Sequence, residues 1–182
     1  MQVIVGTPIK GYFCPSRRAP VVANGFALID YYASDTTQSP GSTPWASTGV
    51  VRPNSLSTVT IVEITDGTSN TIAVSEKNLC LKVLSSGNDI EDGVGYTWGA
   101  DYGGSGNWDN TLGNVNYQPQ QDLPASTNCG TGTHGFGSAH IQAMNAVFAD
   151  GHVQPISYSV NLTVFQNLCG TNDGNVIVSG SF

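Results

Sequence analysis

Phe136 to Ile156 reads FGSAHIQAMNAVFADGHVQPI, and the reading of this stretch decides the fold. Ala143, Asn145 and Val147 alternate with Met144, Ala146 and Phe148, the period of a strand with one buried face. Asp150-Gly151 follows, and a second extended run continues from His152 to Ile156. Asp-Gly signals a type I′ hairpin turn, because both central positions need φ > 0, which Gly reaches freely and Asp at low cost. The expectation is an antiparallel hairpin. His140 stands ten positions before Asp150, so the same stretch carries a His, nine residues, then Asp-Gly.

Working outward, strand patterns dominate. Val59, Ile61 and Glu63 alternate with Thr60, Val62 and Ile64, and Thr71 to Glu76 is again extended in character, with Ile72 and Val74 among small residues. Between them, Asp66-Gly67-Thr68-Ser69-Asn70 is dense in turn formers, and the side chains of Asp66 and Asn70 suit Asx-turns. One antiparallel sheet is therefore expected from the runs near 59–64, 71–76, 143–149 and 152–156. A helix over 161–168 follows from Asn161 as its cap, Leu162, Phe165 and Leu168 at helical spacing, and Gly170 beyond. Residues 34–57 and 99–134 read as long surface excursions. The fold class is α+β, mostly antiparallel β, with long loops and a short C-terminal helix, in a single domain over 1–182.

Only 10% of the residues are charged, against roughly 25% in ordinary globular domains. Gly, Ser, Thr and Asn take their place, the texture of an extracellular, turn-rich β protein. The net charge of −7 and the lack of a basic run argue against a nucleic-acid surface or an anionic membrane as partner. No apolar stretch approaches the roughly 20 residues that span a bilayer.

Cysteines stand at 14, 80, 129 and 169. With no Cys-x-x-Cys pair and no His at finger spacing, a structural zinc site is not expected. The even count in a chain of exported character suggests two disulfides, with the pairing open. The plainer alternative is four buried free thiols, since Cys packs as a small hydrophobe.

Three groups of residues can carry chemistry. His140 and Asp150 are the sharpest pair, yet an extended segment between them holds them apart, so both are read as fold-forming, along with Asp66, Gly67, Asn70 and Gly151. Glu76 ends an apolar strand, where a buried carboxylate needs a partner; Arg17, Arg18, Lys77 or His140 can supply it. If the chain is an enzyme, Glu76 is the first candidate for general acid or base and His140 its partner. The third group lies in Gly95 to Asn110, GYTWGADYGGSGNWDN, with Glu91 and Asp92 just upstream. Trp98, Asp101, Tyr102, Trp108 and Asp109 on glycine-rich loops are what a sugar-binding surface requires. The same carboxylates could take Ca2+ or hydrolyse a glycosidic bond; the plainer reading is that the aromatics anchor a loop. No cofactor is otherwise implied.

The stretch from Phe136 to Ile156 resembles the signature of the DUF1559 proteins, a paralogous family of planctomycete bacteria with pilin-like N-termini. Glu63 to Glu76, EITDGTSNTIAVSE, is similar to the family's Asp-Gly-Thr-Ser-Asn-Thr motif with its trailing Glu. Tyr12 to Arg18, YFCPSRR, is similar to its Cys-Pro-Ser motif, and Asp30 to Ser34, DYYAS, to the segment after it. The tail from Phe165 to Val176 resembles the closing helix and Asp-Gly turn. Family members usually begin with a prepilin leader and a long apolar helix, and Met1 to Gly11 contains neither; the favoured reading is that a helix was removed, with Met1 an added start, and the other is an incomplete fragment. The resemblance implies a non-catalytic head of a pilin-like or pseudopilin-like protein, of the type II secretion kind, at the cell surface, outside it or in the periplasm. Its partners would be other pilin-like subunits, with no membrane contact by these residues. The alternative is an extracellular polysaccharide hydrolase or a carbohydrate-binding module, with glycan as partner.

Overall fold

The computed structural model describes residues 2–34, 48–52, 58–89, 92–93, 95–97, 111–113, 115–125, 135–175, 177, 180 and 182. Helix α1 (Gln2–Val5) is followed by strands β1 (Val22–Ala23), β2 (Phe26–Ala27), β3 (Tyr31–Ser34), β4 (Ile72–Glu76), β5 (Leu112–Gly113), β6 (Gln120–Gln121), β7 (Gly137–Ser138), β8 (Ala143–Phe148) and β9 (Val153–Ser157), then helix α2 (Leu162–Cys169). The main sheet has the order β5-β3-β4-β8-β9, and all its pairings are antiparallel except β3 with β5. The chain is α+β and mainly antiparallel β.

The alternation in β8 does what it dictates. Met144, Ala146 and Phe148 are buried, and they meet Ile72, Tyr32 and Ile156 from the neighbouring strands. Helix α2 closes this core through Phe165 and Leu168, with Val164 partly buried against it, while Leu162 is half-buried outside that cluster. Asn161 caps it as expected, its Oδ1 accepting from the N–H groups of Thr163 at 2.9 Å and Val164 at 3.4 Å. Phe136 stands edge-on between the Tyr32 ring, 5.7 Å away, and the Phe165 ring, 5.4 Å away, which couples helix to sheet.

Two local expectations are corrected. The run 59–64 is not a strand: Ile61–Glu63 is a turn of 3₁₀ helix, with Ile61 78% and Val62 87% exposed. The Glu63 carboxylate reaches back to the Thr60 N–H at 2.6 Å and hydroxyl at 2.8 Å, so a Thr-x-x-Glu capping box overrides the alternation. The hairpin forms, but by a different turn. Val147 pairs Val153, Gly151 N–H donates to the Phe148 carbonyl and Phe148 N–H to that of His152. Three residues, Ala149, Asp150 and Gly151, thus make the loop, and of the last two only Gly151 (φ 90°) is left-handed. This is the three-residue hairpin that ends in a left-handed glycine, rather than a two-residue type I′ turn.

The turns are tied to one another. Ala149 and Asp150 donate their N–H groups to the carbonyls of Thr71 and Thr68. Asp66 accepts from the N–H groups of Asp173 at 2.7 Å and Gly174 at 3.0 Å, so its carboxylate seats the Asp173-Gly174 turn after α2. The Asp150 carboxylate accepts from the His152 backbone at 3.0 Å and lies 2.6 Å from its Nδ1.

Where β3 begins and β4 ends lies a buried ionic cluster. Arg17 makes a forked contact with Asp122, Nε to Oδ2 at 2.8 Å and the second guanidinium arm to Oδ1 at 2.9 Å. It also donates to the Lys77 carbonyl at 2.5 Å. Arg18 contacts Asp30 at 2.5 Å and Asp92 at 2.6 Å, and Lys77 reaches Asp92 at 3.6 Å and lies over the Tyr32 ring. Burial alone would lower Arg17, but the Asp122 and Asp30 carboxylates outweigh it and hold the guanidinium charged. Three of the chain's six basic residues are spent here.

Two predictions follow from these contacts. Arg17→Ala should destabilise the protein by about 3–5 kcal/mol in denaturant unfolding, because it strands buried carboxylates; Arg17→Lys should rescue little, because a point charge cannot make the fork. The Asp150 carboxyl sits below its ordinary range, first because of the His152 N–H. Its contribution to stability is therefore present above the ordinary Asp value and lost as pH falls through the lower folded value. Thermal melts of Asp150→Ala should show a lower melting temperature near neutral pH and a gap to the parent that closes in acid.

Candidate functional site

Cys14, Glu76 and His140 meet at one point. Cys14 comes from the Cys-Pro-Ser loop before β1, Glu76 from the last position of β4, and His140 from the turn between β7 and β8. His140 Nε2 lies 3.2 Å from Glu76 Oε1 and 3.8 Å from Cys14 Sγ. The three donor atoms all fall within 4.8 Å of one another. Cys14 and Glu76 are buried, while the His140 side chain is 34% exposed.

Each member is held by a neighbour. Glu76 Oε2 accepts from the Asn145 N–H at 2.8 Å and side-chain amide at 3.2 Å, which leaves Oε1 for the histidine. The Cys14 N–H donates to Asp30 Oδ2 at 2.9 Å, so the ionic cluster also seats the cysteine. The His140 N–H donates to Ser138 Oγ at 3.0 Å, and the Tyr158 hydroxyl donates to the His140 carbonyl at 3.0 Å. Gln142, two residues on, holds a left-handed φ of 71° where the turn bends into β8. Tyr31 pairs with Glu76 across β3 and β4.

The surroundings of Glu76 work against ionisation of the thiol and the phenol beside it. Burial, then the adjacent Glu76, push the Cys14 thiol above its ordinary value, with Arg17 pulling the other way. Burial, then Cys14 and Glu76, push the Tyr31 phenol up to about 12. In a nucleophilic relay the acid and the nucleophile take opposite nitrogens of the imidazole; here both face Nε2.

Of the partners open to Glu76, His140 is the one it takes, and Arg17, Arg18 and Lys77 go to the aspartates instead. His140 is therefore not a buried residue bonded only through its backbone. Asp150 is elsewhere, with His152, and the third member of the cluster is a cysteine. Sequence reasoning missed Cys14, treating it as half of a bridge. The signal was available: Cys14, Glu76 and His140 each belong to a different one of the three motif stretches. Trp98, Asp101, Tyr102, Trp108 and Asp109 lie outside the described residues, as does Glu91. The described neighbours of that segment have structural partners: Asp92 takes Arg18, Asp89 accepts the Cys80 N–H at 2.8 Å, and the Tyr96 hydroxyl donates to the Ile4 and Thr7 carbonyls.

The expectation of two disulfides is corrected. Cys14 and Cys169 are buried free thiols, one committed to the cluster and the other packed in the core against α2's neighbours, where burial raises its thiol. Cys80 is disulfide-bonded, with its partner outside the described residues. Thiol titration of the denatured, unreduced protein should therefore find two free thiols per chain, and Cys14→Ser should lower that number to one.

No curated protein and no solved structure matches the chain. A family model, described as a protein of unknown function (DUF1559), matches residues 5–163. That span includes Cys14, Glu76 and His140 and most of the sheet, and the chain belongs to the DUF1559 family.

Proposed function

We propose that this chain is the non-catalytic head of a pilin-like or pseudopilin-like protein, displayed at the cell surface or in the periplasm beside other pilin-like subunits. The observation that carries the non-catalytic reading is the geometry at His140: thiol and carboxylate converge on the same ring nitrogen, so neither can relay a proton through the ring to the other. Family membership supports the pilin-like reading, and so does a composition in which much of the charge is turned inward.

The contact between Glu76 and His140 favours a second reading, an extracellular hydrolase or glycan-binding module, since an acid and an imidazole 3.2 Å apart can share a proton. A screen of the purified chain against polysaccharides and esters, with a glycan-binding array, separates the two. The proposal expects no turnover above background and no glycan retained. Turnover that Glu76→Gln or His140→Ala abolishes at an unchanged melting temperature would establish the hydrolase instead. Cross-linking on intact cells that express the full-length protein should recover pilin-like neighbours; recovery of the protein only from the cytosol would contradict the surface assignment.

A further inference from the structure

We propose that Cys14, Glu76 and His140 form a three-ligand site for a zinc-class divalent cation, which clips the Cys-Pro-Ser loop to β4 and to the start of the β8–β9 hairpin. The donor set is one thiolate, one imidazole nitrogen and one carboxylate oxygen, which suits borderline-soft Zn2+ and not Ca2+ or Mg2+. The charges balance: one thiolate and one carboxylate neutralise a divalent ion, which matters at a site whose thiol and carboxylate are buried.

The spacing fits. Zinc binds thiolate sulfur at about 2.3 Å and nitrogen or carboxylate oxygen at about 2.0–2.2 Å. Tetrahedral angles then place nitrogen and oxygen about 3.3–3.4 Å apart and sulfur and nitrogen about 3.5–3.6 Å apart. The distances found are 3.2 Å for Nε2 to Oε1 and 3.8 Å for Nε2 to Sγ. Two of the three spacings thus stand near the edge lengths of a coordination tetrahedron, and the thiol and the carboxylate, within 4.8 Å of each other, close the third when the ion binds.

The surroundings are also those of a ligand shell. Asn145 fixes one oxygen of Glu76 and leaves the other pointing at the cluster, Asp30 fixes the Cys14 backbone, and Ser138 with Tyr158 fixes that of His140. The Asn145 contact is of the outer kind that orients a metal ligand and sets its affinity, and the other contacts hold the backbone that carries the ligands. Binding would displace the thiol proton to solvent and form one metal–sulfur bond, with no redox step.

The test is titration of the purified chain with cobalt(II) under anaerobic conditions, with the Cys80 disulfide left intact. One equivalent should bind with a thiolate-to-cobalt charge-transfer band and the visible bands of a tetrahedral ion. Zinc should displace it, and calcium or magnesium in large excess should not. Cys14→Ser should abolish the charge-transfer band and Cys169→Ser should keep it. Outer-shell changes cost about 10–100-fold in affinity, so His140→Gln, which removes a ligand, should cost at least the upper end. If Cys14→Ser fails to fold, His140→Gln decides alone, since its partly exposed site tolerates the change. A folded parent chain that shows no charge-transfer band, or a band that survives His140→Gln at full affinity, overturns the site.

Discussion

The pairing of Arg17 with Asp122, inside a low-charge protein, is the constraint on which the rest of the structure depends. An isolated buried guanidinium would be prohibitively costly, so it persists only with carboxylates and carbonyls arranged around it. Arg17 binds Asp122 with both arms, touches the Lys77 carbonyl and lies near Asp30; Arg18 bridges Asp30 and Asp92. These contacts bring together segments far apart in sequence: the Cys-Pro-Ser-Arg-Arg loop, the start of β3, the end of β4 and the segment after β6. A hydrophobic cluster of similar volume could hold them as firmly. It would not fix the direction in which Cys14 faces, which Asp30 does by accepting the Cys14 N–H while taking Arg18 on its other oxygen.

From that anchor the site is assembled by strand register. Glu76 occupies the last position of β4, opposite Tyr31, and the bulge between Ile72 and Val74 sets how β4 runs along β8. Asn145, on β8, is then placed to hold Glu76 with both its backbone and its amide. The hairpin loop matters at the far end of the same strands, where Ala149 and Asp150 bond to the Thr68 to Thr71 segment. A register slip in β8 would carry Asn145 away from Glu76 and turn Met144 and Phe148 out of the core. The Asp-Gly turn and the His140 turn thus hold one strand at its two ends.

Much of the architecture was legible in the residues. Period-two alternation gave β8, the Asp-Gly signal gave the hairpin, and Asn161 with Leu162, Phe165 and Leu168 gave α2 to within a residue. The run at 59–64 misled because Thr60 and Glu63 form a capping box, a local hydrogen-bond pattern that defeats alternation when no sheet edge takes the strand. Asp150 suggested a positive φ it does not adopt, because a third loop residue relieves it. Glu76 was recognised as a carboxylate in need of a partner, but four basic residues were open to it. Which one it took depended on Arg17 and Arg18 already being engaged with aspartates from other segments, a long-range fact with no local signature. Cys14 was hidden for the same reason: a cysteine before proline in a loop reads as a bridge until the fold brings His140 to it.

The central claim is that buried charge, acting as a unit, holds the Cys-Pro-Ser-Arg-Arg loop to the start of β3, the end of β4 and the segment after β6. A double-mutant cycle on Arg17→Ala and Asp122→Ala, followed by denaturant unfolding, tests it most directly. Coupled residues in one network show interaction energies of about 0.5–3 kcal/mol, and the account predicts a value in the upper part of that range, with the double mutant much less destabilised than the two single changes together. Additive effects would show that the two charges do not depend on each other and would contradict it.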